Sequence, residues 1–118
     1  MRFMLMFRTG NDVEAGIPPC KDEPAMIRFI GELTRAGTLL SSEGLYPSVR
    51  GAMVERRAGN VRVKDGPFTE AKELIAGYAI VEVSSKATAI ELAGQFLEIA
   101  GEGVSEVREV IETAVTAI

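Results

Sequence analysis

The chain carries the same pattern twice: a short apolar strand, an amphipathic helix closed by glycine, and a further strand. Arg2 to Arg8 reads as the first strand. Its side chains alternate, with Phe3, Leu5 and Phe7 on one face and Met4 and Met6 on the other. Thr9 to Cys20 reads as a loop, marked by Gly10-Asn11-Asp12 and Pro18-Pro19. A helix follows over Pro24 to Ala36. Asp22 can cap its free amides, and Pro24 suits a first turn that needs no amide hydrogen. Met26, Ile27, Ile30 and Leu33 recur at helical spacing and predict the buried stripe. Gly37 can take the left-handed conformation that ends the helix. The second copy begins at Gly77 to Val83, a strand with Ala79, Val81 and Val83 on one face and Tyr78 and Ile80 on the other. Ser84 or Ser85 then caps a helix with the stripe Ala89, Ile90, Ala93, Leu97 and Ala100, closed by Gly101. Val104 to Glu112 reads as the last strand.

Between the halves, Thr38 to Leu45 reads as an irregular strand. Ser41, Ser42, Glu43 and Gly44 break its apolar pattern, which suggests a bulge or a pocket wall. Pro47 and Gly51 lead into a hairpin of Ala52 to Arg57 and Val61 to Lys64, turned by Ala58-Gly59-Asn60. Val61 and Val63 point one way and Arg62 and Lys64 the other, so one face of this ribbon is expected to be wet. Two strand-helix-strand units with both helices on one side of an antiparallel sheet predict an α+β, ferredoxin-like sandwich, here a single domain over 1–118. That layout covers one face of the sheet, yet Arg2 to Arg8 is apolar on both. A second subunit is the simplest cover, and a face-to-face homodimer would bury ~1,200–2,000 Å² in total. The alternative cover is the loop of residues 9–20 folded over the open face.

Composition closes several routes. The balance of 13 basic against 17 acidic residues gives −4, a poor match to phosphate backbones, so no nucleic-acid partner is expected. Arg56, Arg57, Arg62 and Lys64 form the basic cluster and read as the solvated face of the hairpin. No apolar stretch approaches the roughly 18 residues of a membrane span. The apolar run Phe3 to Phe7 is shorter than the ~7–15 residues of a signal-peptide core, so a cytoplasmic location is expected. Cys20 is the only cysteine, which excludes an internal disulfide and leaves a passive thiol. The chain has no histidine, so neither a Ser-His-Asp or Cys-His pair nor a histidine-bound zinc can form. Gly101-Glu102-Gly103 follows a helix and lacks a third placed glycine, so it is no dinucleotide fingerprint; no cofactor or metal is expected.

What remains is carboxylate and lysine chemistry, concentrated in Lys64 to Tyr78. Asp65 ends a strand and Gly66-Pro67 turns the chain, which places the carboxylate at the sheet edge facing any pocket beneath residues 41–46. Glu70 and Glu73 share a face if residues 69–75 are helical; Glu70 and Lys72 share one if they are extended. A carboxylate crowded by others and shielded by Phe68 or Tyr78 would have a raised pKa and could serve as a general acid or base. Asp65, Glu43 and Lys72 are therefore the candidate catalytic groups, with Tyr46, Phe68, Glu70 and Tyr78 as candidate substrate contacts. Against this, Asp65 can simply cap its own turn, Glu70, Lys72 and Glu73 can be a solvated segment, and both tyrosines can be core or interface aromatics.

The residues Asp65-Gly66-Pro67-Phe68, Glu70-Ala71-Lys72-Glu73 and Gly77-Tyr78 resemble the signature of the YCII-related family, in its DGPF-domain branch. Met1-Arg2-Phe3-Met4-Leu5-Met6 and Ser42-Glu43-Gly44-Leu45-Tyr46-Pro47 are similar to the same pattern. The resemblance implies the dimeric α/β-barrel arrangement, with the substrate unassigned in most members; a small-molecule ligand is the candidate partner besides the second copy. Better-known members use a His-Asp pair, from which this chain departs by having no histidine. The DGPF branch resembles accessory proteins encoded beside extracytoplasmic-function sigma factors. The expectation is thus a small acid-base enzyme acting on a polar molecule, with a ligand-binding or regulatory module and a structural interaction domain as alternatives.

Overall fold

The computed structural model describes residues 1–8, 22–68 and 74–112. In order these form β1 (Arg2–Arg8), α1 (Glu23–Arg35), β2 (Leu39–Gly44), β3 (Ala52–Arg57), β4 (Asn60–Asp65), β5 (Ile75–Glu82), α2 (Lys86–Ala100) and β6 (Val104–Glu109), with a short 3-10 turn over Ser48–Arg50 before β3. The expected loop of residues 9–20, Cys20 within it, and the segment 69–73 lie outside the described residues.

Four strands form one antiparallel sheet in the order β2-β5-β1-β6. The first strand of each strand-helix-strand unit is central and the second lies at an edge, which is consistent with a ferredoxin-like α+β fold. Phe3, Leu5 and Val81 lie on one face and pack with Leu39 and with Ala89, Leu92 and Ala93 of α2. Phe29, Ile30 and Leu33 of α1 pack against the same cluster. Phe3 and Val81 are each only 1% exposed, so this cluster is the centre of the core.

The helix ends form as the sequence requires. Asp22 accepts a hydrogen bond from the Ala25 amide at 3.1 Å, and Ser85 accepts one from the Thr88 amide at 3.2 Å. Gly37 sits at φ 77, letting the Thr38 amide reach back to the Leu33 carbonyl at 3.0 Å.

Both helical stripes differ from expectation in the same way. Ile27 is 66% exposed and Ile90 is 52% exposed. The packed positions of α1 are Met26, Phe29, Ile30 and Leu33, and α2 buries Ala89, Leu92, Ala93 and Ala100. Ile27 and Ile90 each follow a packed residue by one position, and so stand about 100° away from it around the helix. Apolar character alone could not separate these neighbours.

The irregular strand is confirmed, with pairing to β5 shifting register between Leu39 and Ser41. The hairpin differs more. Its turn is the two residues Ala58 and Gly59, at φ 52 and 81, so Asn60 already pairs with Arg57. It forms a separate two-stranded sheet, and Val54, Val61 and Val63 are exposed along with the charged side chains, so both faces are wet. β5 begins earlier than expected, at Ile75, and β6 ends earlier, at Glu109.

These positions separate core from surface. Phe3→Ala should cost about 3–5 kcal/mol in chemical denaturation. Ile27→Ala, although it removes a similar class of side chain, should change stability by no more than about 0.5 kcal/mol. Comparable losses for the two would contradict the assignment of the α1 face.

Candidate functional site

The Asp65-Gly66-Pro67-Phe68 run is stitched to the turn before β3. Asp65 pairs with Ala52 at the end of β4. The Gly66 amide donates to the Gly51 carbonyl at 3.0 Å, and the Phe68 amide donates to Ser48 Oγ at 2.8 Å. The backbones approach so closely that a Cβ on Gly66 would overlap the Ser48 carbonyl. Glycine is therefore required at this crossing for steric reasons. The Gly66-Pro67 peptide is cis. Lys64 Nζ stands 5.9 Å from the centre of the Phe68 ring, and the Arg50 guanidinium lies 4.0 Å over the Tyr46 ring.

This arrangement divides the candidate residues. Asp65 is exposed on the hairpin, and its carboxylate makes no hydrogen bond or ion pair among the described residues. Phe68 is half-buried beside Ser48, and Tyr46 is 74% exposed. Glu43 and Tyr78 are brought together elsewhere, directly opposite each other on β2 and β5. Tyr78 is in turn opposite Met6 on β1, so alternation places Glu43, Tyr78 and Met6 on the sheet face away from the core. Glu70 and Lys72 lie outside the described residues.

A cavity of about 290 Å³ lies between α1 and the sheet. Its walls are mainly apolar: Leu5, Phe7, Met26, Phe29, Ile30, Leu33 and Phe96 contribute, and Phe7 and Phe96 meet edge to face with centroids 5.0 Å apart. Ser42 and Ser105 bring hydroxyls to the lining, and Glu43, Gly44, Gly77 and Tyr78 complete it along β2 and β5. The space has a sequence origin. Ala76, Gly77, Ala79 and Ala100 are small where larger residues would fill the interior. Gly77 cannot be enlarged, because a Cβ there would stand 2.9 Å from the Glu43 carbonyl oxygen. The helix above it, α1, has no fully buried residue, whereas α2 has four.

Of the candidates, Glu43 and Tyr78 border this cavity where β2 and β5 wall it, although alternation directs their side chains to the other face; Asp65, Tyr46 and Phe68 are not among its lining residues. Met26, Ile30 and Leu33 were read from the sequence as a buried stripe and Leu5 and Phe7 as one face of β1, whereas Phe29 and Phe96 were not singled out. Their role as walls depends on small residues scattered over β5 and α2, which no local motif marks. Ser42 had a signal, since it breaks the apolar pattern of β2.

The sheet face away from the core carries its own charge cluster. Glu106, opposite Met6, takes hydrogen bonds from Arg8 at 2.8 Å and Arg108 at 3.0 Å. The Arg108 bond is the main reason the Glu106 carboxyl lies below its ordinary value; Arg8 adds to the effect, and partial desolvation opposes it.

A family model described as the YCII-related domain matches residues 1–114, and the chain belongs to the YCII-related family. A search of curated proteins finds no match. Among the described residues no helix is long and apolar enough to cross a membrane.

Two outcomes check this geometry. Gly66→Ala should disrupt the crossing at Ser48 and speed hydrogen exchange at the Gly66 and Phe68 amides, while the Phe3 and Val81 amides in the main sheet stay protected. In an NMR titration, Glu106 should titrate below an ordinary glutamate, and Arg108→Ala should raise it. Because the folded-state value is depressed, any stabilisation from this cluster is present above the ordinary glutamate pKa of about 4.3 and is lost as pH falls through the lower folded value.

Proposed function

We propose that this YCII-related protein is a homodimeric, cytoplasmic, single-domain module over 1–118 that binds a small molecule in the cavity between α1 and the sheet. The observation that carries this reading is the cavity, about 290 Å³ with mainly apolar walls and the serines Ser42 and Ser105 in its lining. That combination is typical of small-molecule sites. The wall chemistry moves the ligand from the polar molecule expected from the motif to a mainly apolar one. The Asp65 to Phe68 run, which supports placement in the DGPF branch, acts in this reading as the clamp that orients the hairpin. A regulatory role alongside a sigma factor suits a ligand-responsive module of this kind.

The homodimer is supported by the other face of the sheet. Met4, Met6, Tyr78 and Ile80 are adjacent there through the β1–β5 register, and none of them is fully buried by the described chain. Four neighbouring apolar or aromatic side chains on an open sheet form a patch suited to a partner.

One observation favours a second reading, acid-base turnover. Glu43 and Tyr78 are directly opposite each other on β2 and β5, so a carboxylate and a phenol are paired for a molecule bound on the sheet face away from the cavity. In this reading Asp65 and Lys72 would have to approach from the hairpin and from the segment that follows it.

The test combines assembly and binding. The native chain should sediment as a dimer at micromolar concentration, and Met6→Asp should give monomer or aggregate. The neutral dye N-phenyl-1-naphthylamine should gain fluorescence on binding. Ile30→Trp, a substitution on the loosely packed helix, should reduce that binding at least tenfold while the thermal transition remains. No dye binding by the folded native chain would remove the cavity reading.

A further inference from the structure

Resting on the cavity reading, we infer that the ligand is a neutral, elongated molecule with an apolar body and a hydroxyl or carbonyl group, held by Ser42 or Ser105, and that its carboxylate analogues are rejected. Three observations lead there. The first is shape. The lining reaches Ser42 on β2 and Ser105 on β6, the two edge strands of the four-stranded sheet. Three strand spacings separate those edges, which is on the order of 15 Å. A space of about 290 Å³ spread over that width is narrow, and it suits a slender molecule lying across the strands.

The second observation is hydrogen bonding. Ser42 is opposite Ala79 and Ser105 is opposite Phe7, both on the helix-covered face, so alternation directs both serine side chains toward the cavity side of the sheet. Neither hydroxyl makes a hydrogen bond within the described residues. Each can donate and accept, so either can hold a ligand hydroxyl or carbonyl. Serine in a mainly apolar wall adds polarity that packing does not need.

The third observation is charge. The cavity walls are mainly apolar, and alternation directs the Glu43 carboxylate to the other face of the sheet. An anionic head group would have to lose its water against those walls, which is unfavourable. Among the described lining residues there is no lysine or arginine to offset this. A neutral head group avoids that cost.

The experiment is displacement of N-phenyl-1-naphthylamine from the native full-length chain by decan-1-ol and by decanoate, each below its aggregation concentration at pH 7.5. Decan-1-ol should displace the dye at a concentration at least tenfold lower than decanoate. Ser42→Ala or Ser105→Ala should weaken decan-1-ol about three- to tenfold more than it weakens the dye, because the dye does not rely on a hydroxyl contact. Displacement by decanoate as effective as that by decan-1-ol, or native decan-1-ol affinity in both serine variants, overturns the inference and leaves the cavity reading intact. Absence of dye binding by the native chain overturns the cavity reading itself, so the two failures are distinct.

Discussion

β1 is paired along both edges and packed on one face, and the positions of the other elements follow from that. It pairs with β5 along one edge and β6 along the other, from Phe3 through Arg8. Its Phe3, Leu5 and Phe7 face is buried under the helices, while Met4 and Met6 carry the open face. A central strand apolar on both sides forces two layers of cover. The helices provide one. A second copy provides the other in the assembly proposed above. Because β1 is shared, the cavity on one face and the candidate interface on the other are separated by the thickness of a single strand. Leu5 and Phe7 line the first, and the residues between and beside them, Met4 and Met6, form the second.

The main lines of the fold were legible because they depend on short-range signals. Alternation identified β1 and β5, Asp22 and Ser85 identified helix starts, and Gly37 and Gly101 identified helix ends. The choice between Ile27 and Phe29, or between Ile90 and Leu92, was not legible in this way. It depends on the rotation of each helix over the sheet, set by tertiary packing. The detachment of the hairpin was equally hidden. Val54 and Val63 pair across the ribbon and look like one buried face, yet both are exposed.

The candidate site was legible in chemistry more than in place. The motif attracts attention because it combines charge, glycine and proline, but the described part of it forms backbone crossings: Gly66 to Gly51 and Phe68 to Ser48. A two-stranded ribbon alone is marginal in water, so such crossings have a clear structural task in closing the base of this one. The cavity is built from Leu5, Ile30, Leu33 and Phe96, residues indistinguishable in sequence from any core. Concavity comes from what is small nearby, at Ala76, Gly77, Ala79 and Ala100, and those positions become neighbours only after folding.

The two helices divide the work of the fold unequally. α2 fits closely: Ala89 and Ala93 bring its backbone near the sheet, and four of its residues are buried. α1 has an apolar stripe as long, at Met26, Phe29, Ile30 and Leu33, but none of these is fully buried, because all four face the cavity. Each therefore realises only part of the stabilisation available from burial, about 1.5–3 kcal/mol for a large apolar side chain. A ligand filling the cavity would remove the same α1 surface from water that α2 already buries against the sheet. On this reading, ligand binding and the seating of α1 are one event. Binding energy enters the fold through the helix that holds the least of it, and α2 with β1 supplies the frame on which that change takes place.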